Sequence, residues 1–117
     1  PVGVYATRLF HPAPRVEDRL AHYVRHMADA VRTFGPMNIR AFGFGCTGSS
    51  YVAGLALEDR LTAEAAAAVG IPVISAAQAI RLALGTLGAR AIALVSPYPE
   101  GLAEAGHRYW EDAGLRL

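Results

Sequence analysis

Short apolar runs of β-type residues alternate along this chain with stretches of helical period, and nearly every helical stretch closes on a glycine. That alternation narrows the possible folds more than any other feature. The run 2–6 (Val-Gly-Val-Tyr-Ala) reads as a strand, broken by Thr7 and Arg8 and then by His11, Pro12 and Pro14. From about Pro14 the period becomes helical: Val16, Leu20, Tyr23, Val24, Met27, Val31 and Phe34 fall on one stripe, which Gly35 and Pro36 stop. Residues 39–44 lack the alternation of a strand with one wet face, which predicts a central parallel strand.

After a cysteine-containing stretch, residues 55–69 are alanine-rich and helix-favouring up to Gly70. Residues 71–74 form a short strand, with Pro72 near its start where a missing donor is tolerated. Ala76, Ile80, Ala83, Leu84 and Leu87 predict another amphipathic helix ended by Gly88, and 91–95 another apolar strand. A last helix carries Leu102, Tyr109, Trp110 and Ala113 on one face and closes at Gly114. The expected architecture is α/β, a mostly parallel sheet with helices on both faces. Ligands in such sheets sit beyond the carboxyl ends of the strands. Here those ends hold Arg8, Cys46, Ser75 and Tyr98.

The totals remove several function classes. With 117 residues the chain makes one domain or part of one. Basic and acidic residues number 11 and 10 with no Lys/Arg run, which argues against nucleic acid or an anionic membrane as partner. No apolar run reaches the roughly 18 residues of a membrane span, and no signal peptide opens the sequence. The single cysteine excludes an internal disulfide framework and predicts a reducing, cytoplasmic setting.

That cysteine lies in residues 41–51 (Ala-Phe-Gly-Phe-Gly-Cys-Thr-Gly-Ser-Ser-Tyr), where a buried strand gives way to small and hydroxylated residues. Gly43, Gly45 and Gly48 match the spacing of a dinucleotide fingerprint, but the next strand ends at Ser75 without the acid that a ribose requires. A P-loop is excluded because Ser49 and Ser50, not lysine, follow Gly48. A cysteine-phosphatase loop is excluded because Val52 stands where its arginine is needed. What survives is Cys46 as a thiol at a helix N-terminus, where unpaired amides lower a thiol's pKa and hold carboxylates. Gly45 and Gly48 permit close backbone approach, and Thr47, Ser49 and Ser50 add hydroxyl donors. A buried, purely structural cysteine is the competing reading.

Arg8 and Tyr98, on the same sheet edge, are candidates to hold an anionic substrate. His22 and His26 share the i, i+4 spacing of a metal pair, yet project with Asp18 and Asp29 from a polar, solvated helix face. His107 and His11 have no evident partner in sequence, so no metal site is predicted.

The segment 44–51 (Phe-Gly-Cys-Thr-Gly-Ser-Ser-Tyr) resembles the first-cysteine segment of the aspartate/glutamate racemase superfamily, in its maleate cis-trans isomerase and arylmalonate decarboxylase branch. Segments 70–73, 84–90 and 92–98 match that branch in order and spacing, so the resemblance covers essentially the whole chain. It implies a two-lobed, pseudo-symmetric protein of roughly twice this length. Residues 1–88 would form most of the first lobe and 89–117 the opening strand and helix of the second.

The resemblance also implies cofactor-independent cysteine chemistry on a small carboxylate or dicarboxylate. Racemases of the superfamily use one cysteine from each lobe. The isomerases use the first, here Cys46, to attack a double bond, and the decarboxylases keep a glycine there and use the second. Cys46 therefore favours a maleate-isomerase-like reading, with amino-acid racemase, decarboxylase-like enzyme and non-catalytic anion-binding module as alternatives. Thr47 and Tyr98 match positions that hold substrate carboxylates. The isomerases usually read Cys-Thr-Ser where this chain reads Cys46-Thr47-Gly48, and the branch's first strand and second cysteine segment have no counterpart. A homo-oligomer that sets two Cys46 thiols face to face would fit the family's pseudo-symmetry.

Overall fold

The structure, a computed structural model, describes residues 2–117. Its elements run α1 (Val16–Arg25), α2 (Met27–Arg32), β1 (Phe42–Phe44), α3 (Thr47–Ala53), α4 (Leu55–Val69), β2 (Val73–Ser75), α5 (Ala76–Thr86) and α6 (Glu100–Asp112). β1 and β2 pair in parallel, with Phe42 opposite Val73, Gly43 opposite Ile74 and Phe44 opposite Ser75. The α/β class and the parallel sheet of the sequence reading are both present.

The single helix expected between Pro14 and Phe34 is two. His26 leaves helical geometry at φ −115°, ψ 26°. Its N–H is shared between the His22 and Tyr23 carbonyls, and its ring Nδ1 lies 2.7 Å from the His22 carbonyl oxygen. A side chain bonded into the ladder bends a helix locally, yet the apolar stripe continues through the bend. Leu20 and Val24 of α1 and Met27 and Val31 of α2 are all buried.

α4 occupies the predicted span, and Gly70 ends it in the left-handed conformation at φ 72° with its N–H on the Ala66 carbonyl. α5 starts on a reciprocal cap: Ser75 Oγ accepts from Gln78 N–H, and Gln78 Oε1 accepts from Ser75 N–H.

Two clusters make the core. One gathers Val24, Met27, Phe44 and Ala65 on the inner face of the sheet. The other joins Leu20 and Tyr51 to Ala77, Leu102, Tyr109 and Trp110, seating α6 against α3. Gly106 makes that seating possible, since a Cβ there would stand 2.9 Å from the Tyr51 ring. Trp110 Nε1 donates to the Tyr51 hydroxyl at 3.0 Å, so both buried polar tips are satisfied.

Two predicted strands are not strands here. Segment 2–6 is exposed and has no regular secondary structure, and no backbone hydrogen bond joins it to the rest of the described residues. Segment 91–95 makes only a single parallel bridge, Ala91 with Arg116, and Val95 is exposed. Both have strand sequences, but a strand is defined by its neighbour, and each lacks one along most of its length. On the sheet itself Gly43 and Ile74 face outward and are exposed, while Phe44 and Ser75 are buried. Among the described residues no helix is long and apolar enough to cross a membrane.

Candidate active site

β1 ends at Phe44, and two residues later α3 begins, so the chain turns sharply through Gly45 and Cys46. Cys46 is the residue before the helix, in extended geometry (φ −143°, ψ 97°), with its N–H on the Phe44 carbonyl at 3.0 Å. Its thiol is partly buried. Ser49 Oγ donates to Cys46 Sγ at 3.3 Å, and Ser50 Oγ approaches the Cys46 carbonyl at 3.5 Å. Both serines are fully buried. This corrects their expected role: the two hydroxyls turn inward onto Cys46 and do not face the cleft.

Tyr98 closes the other side. Gly48 N–H donates to the Tyr98 hydroxyl oxygen at 3.1 Å, and Thr47 Oγ1 lies 3.2 Å from the same atom. A Cβ at residue 48 would meet Tyr98 Oη at 3.1 Å and Leu20 Cδ1 at 3.2 Å, so glycine admits the phenol where a serine would crowd it. The departure from Cys-Thr-Ser and the position of Tyr98 are thus one structural fact. Tyr98 is held from behind by its N–H on Ser96 Oγ at 3.3 Å and by the edge of Tyr51, ring centroids 6.0 Å apart. Cys46, Thr47, Gly48, Ser49 and Tyr98 therefore converge. They bring a thiol, one backbone N–H and three hydroxyls to one turn, with Ser49 on the thiol and Tyr98 on the Gly48 N–H and Thr47; donors of this kind can stabilise charge developing on a carboxylate or enolate.

Arg8 stands apart from that group. It lines, with Cys46, a cleft of about 1030 Å³ whose walls are residues 2–9 and 38–46 with Tyr23 and Phe34. Arg8 is exposed, and among the described residues no hydrogen bond or ion pair ties it to the cysteine loop.

A second polar assembly was not singled out in the sequence. Glu58 of α4 is completely buried and receives hydrogen bonds from the hydroxyls of Ser75 and Tyr109. Gln78 donates to Thr62 Oγ1 at 2.7 Å and to Asp59 Oδ1 at 2.8 Å, and Arg81 pairs with Asp59. Burial and the hydrogen bond to the Glu58 carboxylate push the Tyr109 hydroxyl well above its ordinary range, so it stays protonated and donating. Ser75 and Gln78 had a legible signal, the Ser-x-x-Gln of a capping box; Glu58, in an ordinary helical stretch, had none.

His11 does have a partner: its ring lies 4.1 Å from that of His22, which stacks at 3.8 Å on His26. Desolvation within the stack, then the neighbouring charges of His26 and His11, lower the His22 pKa against the opposing pull of Asp29. Among the described residues no three His, Cys, Asp or Glu side chains are grouped to hold a metal ion.

The parallel α/β layer with its flanking helices matches part of the Asp/Glu racemase-like fold. Within it, a family model for arylmalonate decarboxylase matches residues 13–117, and the chain belongs to that family. Two solved structures share its fold. One is a glycine-to-cysteine, cysteine-to-serine double mutant of arylmalonate decarboxylase in a liganded form, with TM-score 0.78 and 22% identity, covering 92% of this chain. The other is the glycine-to-cysteine single mutant in a sulfate-associated form, with TM-score 0.70 and 24% identity, again over 92% of this chain. The chain spans 45% of the length of each. No curated protein matches it.

Proposed function

We propose that this chain supplies one wall of a cofactor-independent, cysteine-dependent isomerase acting on a small unsaturated dicarboxylate of the maleate type. On this reading residues 1–88 are most of one lobe and 89–117 open the second. The observation that carries it is Cys46 at a strand-to-helix turn, with Ser49 donating to its Sγ and the Tyr98 hydroxyl bonded to the Gly48 N–H and Thr47 Oγ1 in the first turn of α3.

The chemistry needs only these groups. The Cys46 thiolate adds to one alkene carbon, forming a C–S bond, and the displaced electron pair moves into the adjacent carboxylate. Thr47, the Gly48 N–H and Tyr98 stabilise that charge as it develops. The former double bond is now single and rotates. The electron pair then returns, the C–S bond breaks, and thiolate and trans product separate with no net proton consumed. Ser49, donating to Sγ, stabilises the thiolate at both ends of the cycle.

Family membership favours a second reading, decarboxylation of an arylmalonate. Against it, the resemblance places a glycine at the first-lobe position in decarboxylases, and here that residue is Cys46.

The pH profile of Cys46 alkylation tests the proposal. A thiol that reacts readily near pH 7 and is protected by maleate supports it. One that stays inert until the protein unfolds ends it. Protection by an arylmalonate and not by maleate would transfer the assignment to the decarboxylase reading.

A further inference from the structure

Three of the four histidines form one stack at the bend between α1 and α2, and the Cys46 chemistry does not use them. His22 is the middle ring, 4.1 Å from His11 and 3.8 Å from His26. His11 belongs to the stretch before α1, so the stack fastens that stretch to the helical pair. The other ties are few. Thr33 Oγ1 donates to Thr7 Oγ1 at 3.1 Å, and Leu9 packs on the cluster of Val24 and Met27. No backbone–backbone hydrogen bond involves residues 2–12.

The partners of the ring nitrogens decide what a proton does. The His22 carbonyl oxygen, 2.7 Å from His26 Nδ1, can only accept, so that nitrogen carries a hydrogen. His26 then takes a further proton at Nε2 and keeps the bond. His11 is the opposite case: its Nδ1 accepts from the Ala13 N–H at 3.3 Å, so protonation there sets donor against donor.

The charges around the stack do not accommodate a second proton. Asp18, one turn before His22 on α1, lies 3.9 Å from Arg15, and Asp29 of α2 is bonded to Arg32 at 2.7 Å. Each nearby carboxylate therefore already has an arginine. Arg25 of α1 adds a cation, as does Arg19, which donates to the Ala13 and Pro14 carbonyls; Tyr23 meets His22 by its ring edge. Two imidazolium rings at the spacing of this stack repel with no carboxylate free to offset them.

We propose that the stack is an acid-released clasp: with at most one ring charged it holds residues 7–12 on the α1–α2 bend, and a second proton ejects His11 and frees them. Arg19 keeps Ala13 and Pro14 in place, so the release pivots there. Thr7, Arg8 and Leu9 border the cleft that Cys46 also lines, so the clasp governs one side of the approach to the thiol. His22 agrees with this order of events, since desolvation and then the charges of His26 and His11 hold it below its ordinary range. The inference does not depend on which reaction Cys46 performs.

Nitrogen-15 relaxation on the 117-residue protein at about pH 7.5 and about pH 5 tests it. Order parameters at amides 8–11 should fall from about 0.85 to below about 0.6 in acid, while α4 keeps its values. The Ala13 amide shift should follow the lower of the histidine titrations. His11→Phe keeps a ring on the stack and cannot take the proton, so amides 8–11 should stay ordered at both pH values. His11→Ala should leave them mobile at both. The proposal is overturned if the wild-type amides stay ordered once the histidines are charged, or if His11→Phe loosens as the wild type does. It is equally overturned if α4 loosens together with residues 8–11, which would be acid unfolding of the whole chain.

Discussion

The molecule contains two polar assemblies built from the same kinds of atoms and finished in opposite ways. Around Glu58 the carboxylate itself is satisfied: fully buried, it takes two hydroxyl donors from β2 and α6, and α4 and α5 are laced together by Gln78 and Arg81, whose Nε alone is buried without a partner. Around Cys46 the thiol is partly exposed, sits at the end of a cleft, and shares its neighbourhood with a tyrosine whose one oxygen serves both Gly48 and Thr47. A saturated buried network fixes geometry, and any unpaired member of it is costly. A partly open set of donors on a rigid turn is what a reacting anion requires. The degree of completion distinguishes the two assemblies more clearly than residue types do, since Ser, Tyr and an ionisable group occur in both.

That contrast breaks first at Glu58. Glu58→Ala leaves the Ser75 and Tyr109 hydroxyls without their acceptor, and unfolding in urea should show a loss of about 2–4 kcal/mol. Cys46 in the remaining folded fraction should alkylate at the wild-type rate. A loss below about 1 kcal/mol would mean the knot is not structural.

Tyr98→Phe should do the reverse. Stability should change by no more than about 1.5 kcal/mol, whereas protection of Cys46 by maleate should weaken on the order of tenfold through loss of a charge-assisted bond. Equal protection in wild type and variant would remove Tyr98 from the site.

Ser49→Ala makes a finer cut. Loss of the donor to Sγ should slow alkylation at pH 7 by roughly two- to tenfold, with the fold unchanged by circular dichroism. An unchanged rate would make the 3.3 Å contact packing alone.

The smallest effect belongs to the histidine stack. The fold favours neutral His22, so the unfolded chain binds that proton first as pH falls below the ordinary value of 6.5. Stability contributed at neutral pH is then lost toward acid. His22→Gln should flatten that limb, seen as a smaller difference between urea midpoints at pH 7.5 and 5.5. Identical slopes in the two proteins would assign the acid sensitivity elsewhere.

What the sequence disclosed follows the range of the forces involved. α4 was legible to the residue because alanine content and a terminal Gly70 act locally. The thiol at a strand-to-helix turn was legible because Gly45, Cys46 and Thr47 mark it in order. Segments 2–6 and 91–95 show the limit: their side chains declare a strand, but pairing depends on a neighbour that no local pattern supplies. The inward turn of Ser49 and Ser50 was likewise hidden, since the first turn of α3 decides which hydroxyl faces the core. The Glu58 knot was the least visible, because it joins residues 17 and 51 positions apart.

Trp110 is the only tryptophan in the chain. It is buried, and its indole N–H is bonded to Tyr51, which lies in the same short helix as the residues that follow Cys46. The protein thus carries an intrinsic fluorophore wired to the back of the turn that holds Cys46, so a dicarboxylate that shifts α3 should register in the emission of one identifiable ring without any label.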